Sequence, residues 1–429
     1  MATAILVDLF HLSCPTYGAC VVEHTKRVSA LIDNDANGPV YLILCQPREV
    51  TSDTRNLEQH FSRKKQTQVL KHECIAASLY TFKQAVDESG ITEVEVITSA
   101  QRRTIIQMYL DLLFTAIYKF EFKVVLDHLD CSFDSPTMTR VQFTDVKDEV
   151  SNFLQHLPAV RGEITILGSS LISDCFSHGF TTRSGGISYI STLSSLNLFS
   201  SSRRRDPKAV VAENLRRLGL KAGFQPHQFH LIKTNHASDV WVMGKTPPES
   251  YDGIVTNQAG VVIAAPGADC MPLLFSDPVA KVIGVAHAGW KGTLMGVAMT
   301  TANAMVSEFG SKLEDIVVVI GPSVGPCCFT LERNSAKEFH SIHPDCVRDI
   351  ESPMPYVDIR LATRILLQRG GLLPEHIQDD TVTDRPNVTL CTSCHPESFF
   401  SHVRDGINFG TQIGFLWIKE SSDIQQIDS

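Results

Sequence analysis

The chain has 429 residues, of which 43% are hydrophobic and 20% are charged. At about 150 residues per domain this length suggests two or three domains, and the apolar content excludes a largely disordered chain. The 38 basic and 47 acidic side chains give a formal net charge of −9, which argues against a dedicated nucleic-acid-binding protein, because such proteins usually carry a basic face.

Export and membrane insertion are not expected either. No apolar run approaches the roughly 18 residues of a membrane span, and the N-terminus has no basic region of the kind that begins a secretory signal. We therefore expect a cytoplasmic protein, with residence in the nucleus or attachment to an organelle surface left open. In that setting the 12 cysteines are expected to be thiols or metal ligands and not disulfides.

The N-terminal part of the chain has the pattern of an α/β domain, which we place at residues 1–165. Because it shows no glycine-rich phosphate loop, nucleophile elbow or ligand cluster, we favour a structural, regulatory or partner-binding domain over a second active site, with a metabolic enzyme as a candidate partner. Strands alternating with a helix are typical of βαβ units and a partly parallel sheet. The predicted strands are Ala4–Leu9, Val40–Leu44, Glu93–Ile97 and Phe122–Leu126, and the predicted helix is Gln101–Phe120.

The C-terminal part, residues 166–429, is richer in glycine, histidine and cysteine and is also predicted to be α/β. A serine-rich stretch, Ser188–Ser202, ends in Arg203-Arg204-Arg205 and is interpreted as a solvated loop. The predicted helices are Lys208–Leu218 and Thr293–Phe309. The predicted strands are Ile164–Leu167, Val240–Met243, Gly260–Ala265, Lys281–Ala286, Val317–Ile320 and Gly414–Ile418.

Three potential metal ligands stand at the ends of predicted strands or in tight turns, namely His236, Cys270 and His287. Their wide separations are unlike the close ligand pairs of a zinc finger. Two histidines and one cysteine from separate strands suit a three-ligand site with an open fourth position, where a metal can activate water or polarise a substrate oxygen. Each residue taken singly is more often an ordinary core or loop residue, so spacing alone does not establish the site.

Neighbouring residues suggest how a substrate could be held. Asp269 precedes Cys270 and is placed to hydrogen-bond a ligand or a substrate hydroxyl. The turn after His287 leads into the predicted Thr293 helix, and a helix N-terminus favours anions such as phosphate. Arg183 stands before two glycines, a pattern typical of anion binding.

A second group of cysteines gives a weaker signal. Cys391 and Cys394 form a CxxC pair, which suits a redox site or a zinc site. No second CxxC occurs, and the adjacent Cys327 and Cys328 have awkward geometry for one ion. The sequence therefore does not favour a structural zinc at these residues.

Taken together, the motifs of roughly residues 178–420 resemble those of the polyphenol oxidases with a laccase domain, a family whose members are now regarded as purine nucleoside phosphorylases. The long N-terminal extension is similar to that of a vertebrate member. The matching motifs are Phe180-Thr-Thr-Arg-Ser-Gly-Gly-Ile-Ser188, Asn235-His-Ala-Ser-Asp-Val240, Ala268-Asp-Cys-Met-Pro272, Ala286-His-Ala-Gly-Trp-Lys-Gly292, Gly321-Pro-Ser-Val-Gly-Pro-Cys-Cys328, Cys391-Thr-Ser-Cys394 and Phe399-Phe-Ser-His-Val-Arg-Asp405.

This resemblance implies a layered α/β sandwich, often a homodimer, with a single Zn²⁺ held by the triad His236, Cys270 and His287. It implies phosphorolysis of adenosine, inosine and S-methyl-5′-thioadenosine and deamination of adenosine, with purine nucleosides and phosphate as the small-molecule partners. Thr234, Ala237 and Lys291 replace the glutamine, glycine and arginine usual in the family, which bears on substrate preference more than on activity. On this interpretation the predicted catalytic residues are Asp269, Arg183 and Arg404, and the predicted phosphate-binding residues are Arg183, Lys233 and Lys291.

Two other interpretations stay open. Cys270 could act as a nucleophile with His287 as its base, which would make the protein a cysteine hydrolase. Alternatively, the protein acts without catalysis through its N-terminal domain, and the metal is structural. Multicopper laccase chemistry is not expected, because the trinuclear centre of those enzymes uses His-x-His pairs and none of the 16 histidines lies two residues from another. Copper is therefore a less suitable ion than zinc.

Overall fold

The computed structural model describes residues 2–9, 38–45, 67–124 and 141–420. The chain divides into two compact units, one made of Met1–Pro158 with Ser200–Glu213 and the other of Ala159–Phe199 with Asn214–Ser429. A linear division at residue 165 does not anticipate that Ser200–Glu213 belongs with the first unit.

The first unit contains a sheet of five parallel strands among the residues that the structure describes. Its strands are β1 (Thr3–Asp8), β2 (Val40–Cys45), β3 (Thr67–His72), β4 (Glu93–Thr98) and β5 (Lys119–Val124), and its helices are α1 (Ile75–Glu88), α2 (Ala100–Leu113) and α3 (Phe143–Gln155). The strand order is β3-β2-β1-β4-β5, with every neighbouring pair parallel. The predicted α/β character is confirmed, whereas β3, α1 and α3 are absent from the prediction.

Side-chain caps fix where two of these helices begin. Cys74 Sγ accepts a hydrogen bond from the Ala77 N–H at 3.4 Å, and Ser99 Oγ accepts one from the Arg102 N–H at 3.4 Å. The prediction of a helix continuing to Phe120 is wrong at its C-terminal end. The backbone of Phe114 is already extended, so α2 stops before it and β5 follows after a short turn.

The buried carboxylate of Asp87, at the end of α1, forms ion pairs with two basic side chains of the first unit. Asp87 Oδ2 accepts from Lys83 Nζ at 2.7 Å, and its Oδ1 accepts from Arg205 Nη1 at 2.6 Å and from the Tyr118 hydroxyl. Lys83 is itself buried, so this carboxylate replaces water around its ammonium group. The prediction of a solvated loop is therefore wrong at Arg205, and the neighbouring Arg204 is buried as well.

The second unit is built mainly on two larger sheets. Its strands are β6 (Ile166–Leu167), β7 (Phe176–Thr181), β8 (Phe229–Leu231), β9 (Val240–Val242), β10 (Gly253–Thr256), β11 (Val262–Gly267), β12 (Met271–Asp277), β13 (Val282–Ala288), β14 (Val317–Ile320), β15 (Val347–Arg348), β16 (Tyr356–Val357), β17 (Ile377–Gln378) and β18 (Gln412–Ile418). One sheet has the order β17-β14-β12-β13-β10-β9 and the other β6-β7-β18-β11-β8, while β15 and β16 form a small ribbon.

Six helices accompany these strands in the described part of the chain. They are α4 (Lys208–Ala222), which begins among the residues of the first unit, α5 (Trp290–Leu294), α6 (Val297–Phe309), α7 (Arg333–Ile342), α8 (Ile359–Arg369) and α9 (His402–Asp405). The predicted helix Thr293–Phe309 is divided in two at Gly296, whose φ of 81° lies in the left-handed region. Among the described residues, no helix combines the length and the apolar character that crossing a bilayer requires.

The two larger sheets stack face to face and are covered by helices on their outer faces. Phe180 and Leu416 of one sheet meet Leu274 of the other in the central core. On the outer face of the six-stranded sheet a second core includes Met305 of α6, and on the outer face of the five-stranded sheet a third includes Leu218 of α4. The second unit is thus a layered α/β sandwich, and the predicted fold class is confirmed.

Candidate metal centre

Two paired strands bring two of the predicted ligands to the same end of a sheet. Strands β12 and β13 are antiparallel, with Pro272 opposite His287, so Cys270 just before β12 lies beside the end of β13. His236 comes from the loop between β8 and β9. The potential ligand atoms of the three residues all lie within 4.8 Å of one another, and the two imidazole rings meet edge to face at 4.9 Å between centroids. The three side chains named from the sequence are neighbours in space.

Burial is graded across this group. His287 is buried, Cys270 is half-buried and His236 is exposed. A metal bound by these three side chains would therefore face solvent on the side of His236. This arrangement agrees with a site that keeps a coordination position for substrate, and it differs from the closed four-ligand shell of a structural zinc.

A buried carboxylate orients the innermost histidine. Strand β10 pairs with β13 with Gly253 opposite Ala286, which places Asp252 next to His287. Asp252 Oδ1 lies 2.8 Å from His287 Nδ1, and the Thr234 hydroxyl lies 2.9 Å from that nitrogen and donates to the same carboxylate. Since Nδ1 is occupied in this way, Nε2 is the nitrogen left to bind a metal.

The same carboxylate holds the loop that carries His236. Its oxygens accept hydrogen bonds from the backbone N–H groups of Asn235 at 3.2 Å, His236 at 3.2 Å and Ala237 at 2.9 Å. His236 has a φ of 64°, a left-handed conformation that costs a non-glycine residue about 1–3 kcal/mol. Asp252 therefore orients one ligand directly and stabilises the strained backbone of another.

The sequence gives no signal for Asp252. The residue stands 35 positions before His287, and only the register of β10 against β13 brings the two together. Its environment favours the charged form. Burial alone would raise its pKa, but hydrogen bonds from His287, Thr234 and Ala237 outweigh that effect and lower the pKa to about 2.

Cys270 and His287 stabilise each other's charged forms. Burial opposes both charges, but the charge and hydrogen bonds of the neighbouring imidazoles outweigh it and lower the pKa of the Cys270 thiol. For His287, burial is likewise outweighed by Cys270 and Asp252, which raise the pKa of the imidazole. A thiolate is thus available at this point of the structure, and the thiolate is the form of cysteine that binds metals.

Gly289 keeps space open beside the ligands. A Cβ atom at this position would lie 2.9 Å from Cys270 Sγ and 3.7 Å from a ring carbon of His236. The first distance is well below van der Waals contact, so any larger residue would displace the thiol. The sequence gives no signal for this role of Gly289.

The donor set fits zinc. Two imidazole nitrogens and one thiolate are ligands that Zn²⁺ prefers, and the hydrogen bond from His287 Nδ1 to Asp252 is the usual support for a metal-binding histidine. The geometry therefore provides a site that could hold a single metal ion at His236, Cys270 and His287.

Comparison with known proteins shows the family of the chain. Residues 177–419 match the family described as multi-copper polyphenol oxidoreductase laccase, which covers more than half of the chain. The chain belongs to this family. The resemblance predicted from the motifs is confirmed, and the matched region contains every predicted site residue.

Three relatives show the extent of the similarity. The chain is 51% identical to purine nucleoside phosphorylase LACC1 of Homo sapiens over 98% of this chain and 100% of that protein. It is 31% identical to adenosine deaminase RL5 of an unknown prokaryotic organism over 38% of this chain and 60% of that protein. The crystal structure of YlmD from Geobacillus stearothermophilus superposes with a TM-score of 0.52 at 28% identity, covering 62% of this chain and 97% of that one.

In this laccase-family chain the carboxylate of Asp269, a predicted catalytic residue, is hydrogen-bonded to other residues of the protein. Its carboxylate accepts from the Thr392 hydroxyl at 2.7 Å and from the Val403 N–H at 2.6 Å. Burial raises its pKa against the opposing effect of these hydrogen bonds. Its φ of 103° also lies in the left-handed region. These contacts hold the residue that precedes Cys270, and the catalytic role of Asp269 stays a prediction.

Arg183 does not present a free guanidinium group. It is buried, and its three nitrogens donate to the backbone carbonyls of Ser194 at 2.6 Å, Pro396 at 2.8 Å and Ser191 at 2.7 Å, while the guanidinium lies over the ring of Phe400. These contacts link three segments of the chain. Its predicted role in binding phosphate gains no support from them.

Arg404 is engaged in a similar way. Its guanidinium pairs with Asp405 through two nitrogens at 2.8 and 2.7 Å and donates to the carbonyls of Thr392 and Phe399, each at 2.9 Å. The contacts give it a structural task in the segment that also touches Asp269. A direct catalytic role for Arg404 stays a prediction.

The two predicted lysines are exposed. Lys233 lies on the loop that leads to His236, and the ammonium group of Lys291 lies 5.3 Å from the centre of the Trp290 ring. The predicted anion site at a helix N-terminus stays a prediction, and the helix that follows His287 has only five residues.

Proposed function

We propose that the protein is a zinc-dependent purine nucleoside phosphorylase. The observation that carries this proposal is the open His236, Cys270 and His287 cluster with Asp252 behind it, in a chain similar over its whole length to a purine nucleoside phosphorylase. The proposed substrates are adenosine, inosine and S-methyl-5′-thioadenosine, each cleaved with phosphate. When bound, the ion would supply Lewis acidity beside the substrate.

The residues of the chain would then act mainly by holding and orienting. In phosphorolysis the C1′–N9 bond of the nucleoside breaks, its electron pair leaves with the base, and a phosphate oxygen forms the new bond to C1′. Because its contacts occupy the guanidinium group of Arg183, we propose that phosphate is held by the other two predicted residues, Lys233 and Lys291, which are exposed and lie close in sequence to His236 and His287. Such positioning and charge stabilisation supply much of the rate in phosphate chemistry.

Adenosine deamination is proposed as a second activity of the same site. Support comes from the similarity to a relative named adenosine deaminase over part of the chain. In this reaction water adds to C6 of adenine and ammonia leaves, so phosphate is not consumed. The requirement for phosphate therefore separates the two activities.

One incubation tests both. Purified protein receives adenosine with and without phosphate, and the products are separated by chromatography. We expect free base and ribose 1-phosphate only in the sample with phosphate, and inosine in both. Cys270→Ala should lose the zinc of this site and both activities, whereas Cys175→Ala, a half-buried cysteine elsewhere in the same unit, should keep them. Full activity in Cys270→Ala that has lost the zinc of this site would overturn the assignment, as would adenosine recovered unchanged from both samples.

The lowered pKa of Cys270 beside His287 fits a nucleophile as well as a metal ligand. Alkylation distinguishes the two. A nucleophilic Cys270 should react quickly with iodoacetamide, whereas a zinc-bound thiolate should react only after a chelator is added. Rapid alkylation of untreated protein, located at Cys270 by mass spectrometry, would favour a cysteine hydrolase.

A further inference from the structure

A second group of cysteines lies outside the proposed active site. The Sγ atoms of Cys327, Cys328, Cys391 and Cys394 all lie within 4.8 Å of one another. They are free thiols, and the group does not include any of the three residues of the candidate metal centre. We call these four residues the cysteine tetrad.

The separations within the tetrad match those of ligands around one ion. Cys394 Sγ lies 3.5 Å from that of Cys327 and 3.4 Å from that of Cys328, and Cys327 Sγ lies 3.5 Å from that of Cys391. Four thiolates at about 2.3 Å from a tetrahedral zinc stand about 3.8 Å apart. A disulfide would need about 2.05 Å, so the thiols are spaced for a shared cation.

The local backbone explains how adjacent cysteines reach the same point. Residues 326–328 form a turn in which the N–H groups of Cys328 and Phe329 both donate to the Gly325 carbonyl, at 3.0 and 3.1 Å. This turn directs both neighbouring thiols toward the Cys391 loop. The expectation that Cys327 and Cys328 have awkward geometry for one ion is wrong, because the Sγ atoms of both lie within 4.8 Å of those of Cys391 and Cys394.

The backbone of Gly325 also supports the Cys391 thiol as a metal ligand. Its N–H donates to Cys391 Sγ at 3.3 Å, and backbone donors of this kind commonly stabilise metal-bound thiolates. A Cβ atom at Gly325 would lie 3.3 Å from Cys327 Sγ and 3.5 Å from Cys391 Cβ. The absence of a side chain therefore lets the two cysteine loops approach.

We propose that the cysteine tetrad is a second metal site, which binds Zn²⁺ through four thiolates and joins the loop at Cys327 and Cys328 to the loop at Cys391 and Cys394. Four ligands leave no open position, so the ion is structural. Binding replaces the thiol protons, which are released to solvent. Soft thiolate ligands exclude magnesium and calcium.

Metal analysis of the full chain tests this proposal. The chain is purified under reducing conditions with zinc present, and zinc per chain is measured by mass spectrometry. We expect two zinc ions per wild-type chain, one in Cys327→Ser/Cys394→Ser and one in Cys270→Ala. The double variant replaces two exposed thiols, so its effect on packing is small. Cys175→Ser, a cysteine outside both groups, should retain two.

Each other count overturns a definite claim. Two ions in Cys327→Ser/Cys394→Ser, or one ion in wild type and none in Cys270→Ala, would show that the tetrad binds no zinc. One ion in wild type that remains in Cys270→Ala but is lost from Cys327→Ser/Cys394→Ser would support the tetrad and defeat the zinc assignment in the proposed function. Copper recovered in place of zinc would refute the choice of ion.

A spectroscopic measurement covers the case in which the double variant does not fold. Co²⁺ is added to wild-type chain stripped of metal, because its absorption reports the number of bound thiolates. The tetrad should give thiolate-to-cobalt charge transfer about four times that of a site with one thiolate. Charge transfer that corresponds to a single thiolate at saturation would contradict the proposal.

Discussion

Asp252→Asn should weaken zinc binding while leaving the fold intact. Asp252 is fully buried, and the substitution keeps its shape while removing its charge. If the amide nitrogen replaces Oδ1, it faces His287 Nδ1 at 2.8 Å and the His236 N–H at 3.2 Å; if it replaces Oδ2, it faces the N–H groups of Asn235 and Ala237. Either orientation sets donors against donors.

The second orientation loses fewer hydrogen bonds and keeps a carbonyl oxygen against His287, so we expect it to prevail. The bond to Nδ1 is then neutral and weaker, and His287 remains the correct tautomer. Loss of such a supporting contact typically lowers metal affinity 10–100-fold, about 1.4–2.7 kcal/mol. We expect the lower part of this range, because the hydrogen bond persists without its charge.

Competition with a chromogenic zinc chelator at neutral pH measures the affinity, and thermal unfolding in the presence of chelator reports the fold. Asp174→Asn is the matched control, since it removes the same charge from an exposed residue of the same unit. A zinc affinity within about twofold of wild type, in a variant that unfolds cooperatively, would refute the orienting role of Asp252.

Three further substitutions test the space beside Cys270, the charge of Asp87 and the protonation of His178. Gly289→Ala places a carbon 2.9 Å from Cys270 Sγ and should lower zinc affinity at least tenfold. Gly168→Ala, whose added carbon would make an ordinary contact of 3.8 Å with His178 Nε2, should not; chelator competition measures both. Asp87→Ala deprives two cations of their carboxylate and should cost about 3–5 kcal/mol in urea unfolding of the first unit, and a loss below 1 kcal/mol would contradict this. Burial lowers the pKa of His178, so the unfolded chain takes up its proton first and stability falls as the pH drops below 6.5, by at most about 1.4 kcal/mol per unit. The free energy of unfolding in urea is measured at pH 7.5 and 5.5 for wild type and for His178→Phe. It should fall less between these pH values in the variant, and an equal fall in the two proteins would contradict the prediction.

The sequence predicts strands best where burial on both faces produces continuous apolar runs. Val317–Ile320 is predicted with the bounds that the structure shows, because the whole strand lies in the core between layers. Thr67–His72 escapes prediction because it is an edge strand with polar, half-exposed residues. The helix ending at Leu113 is overextended because apolar residues continue through Phe120 while the backbone has already turned.

The candidate site likewise contains some residues that the sequence identifies and others that it does not. The sequence identifies His236, Cys270 and His287 as chemically suitable residues, but their proximity depends on how β12 pairs with β13, which no local pattern reveals. Asp252 belongs to no recognisable motif. Only the register of β10 against β13 brings it next to His287. Arg183 is the opposite case, since its guanidine has the right chemistry for phosphate but is committed to backbone carbonyls.

Asp269 lies next to Cys270 and is hydrogen-bonded to the loop of the cysteine tetrad. We therefore expect that a change at the tetrad alters zinc binding at Cys270. Thr392 lies between two members of the tetrad and donates to Asp269, whose own turn presents Cys270. Loss of a tetrad ion would loosen the loop that carries Thr392, so Cys327→Ser/Cys394→Ser should weaken zinc binding at Cys270 several-fold. Thr392→Val removes the hydroxyl link and should produce a similar loss. Because both changes act through one hydrogen bond, their combination should lose less affinity than the sum of the two. Strictly additive losses in chelator competition would show that Asp269 does not transmit the effect.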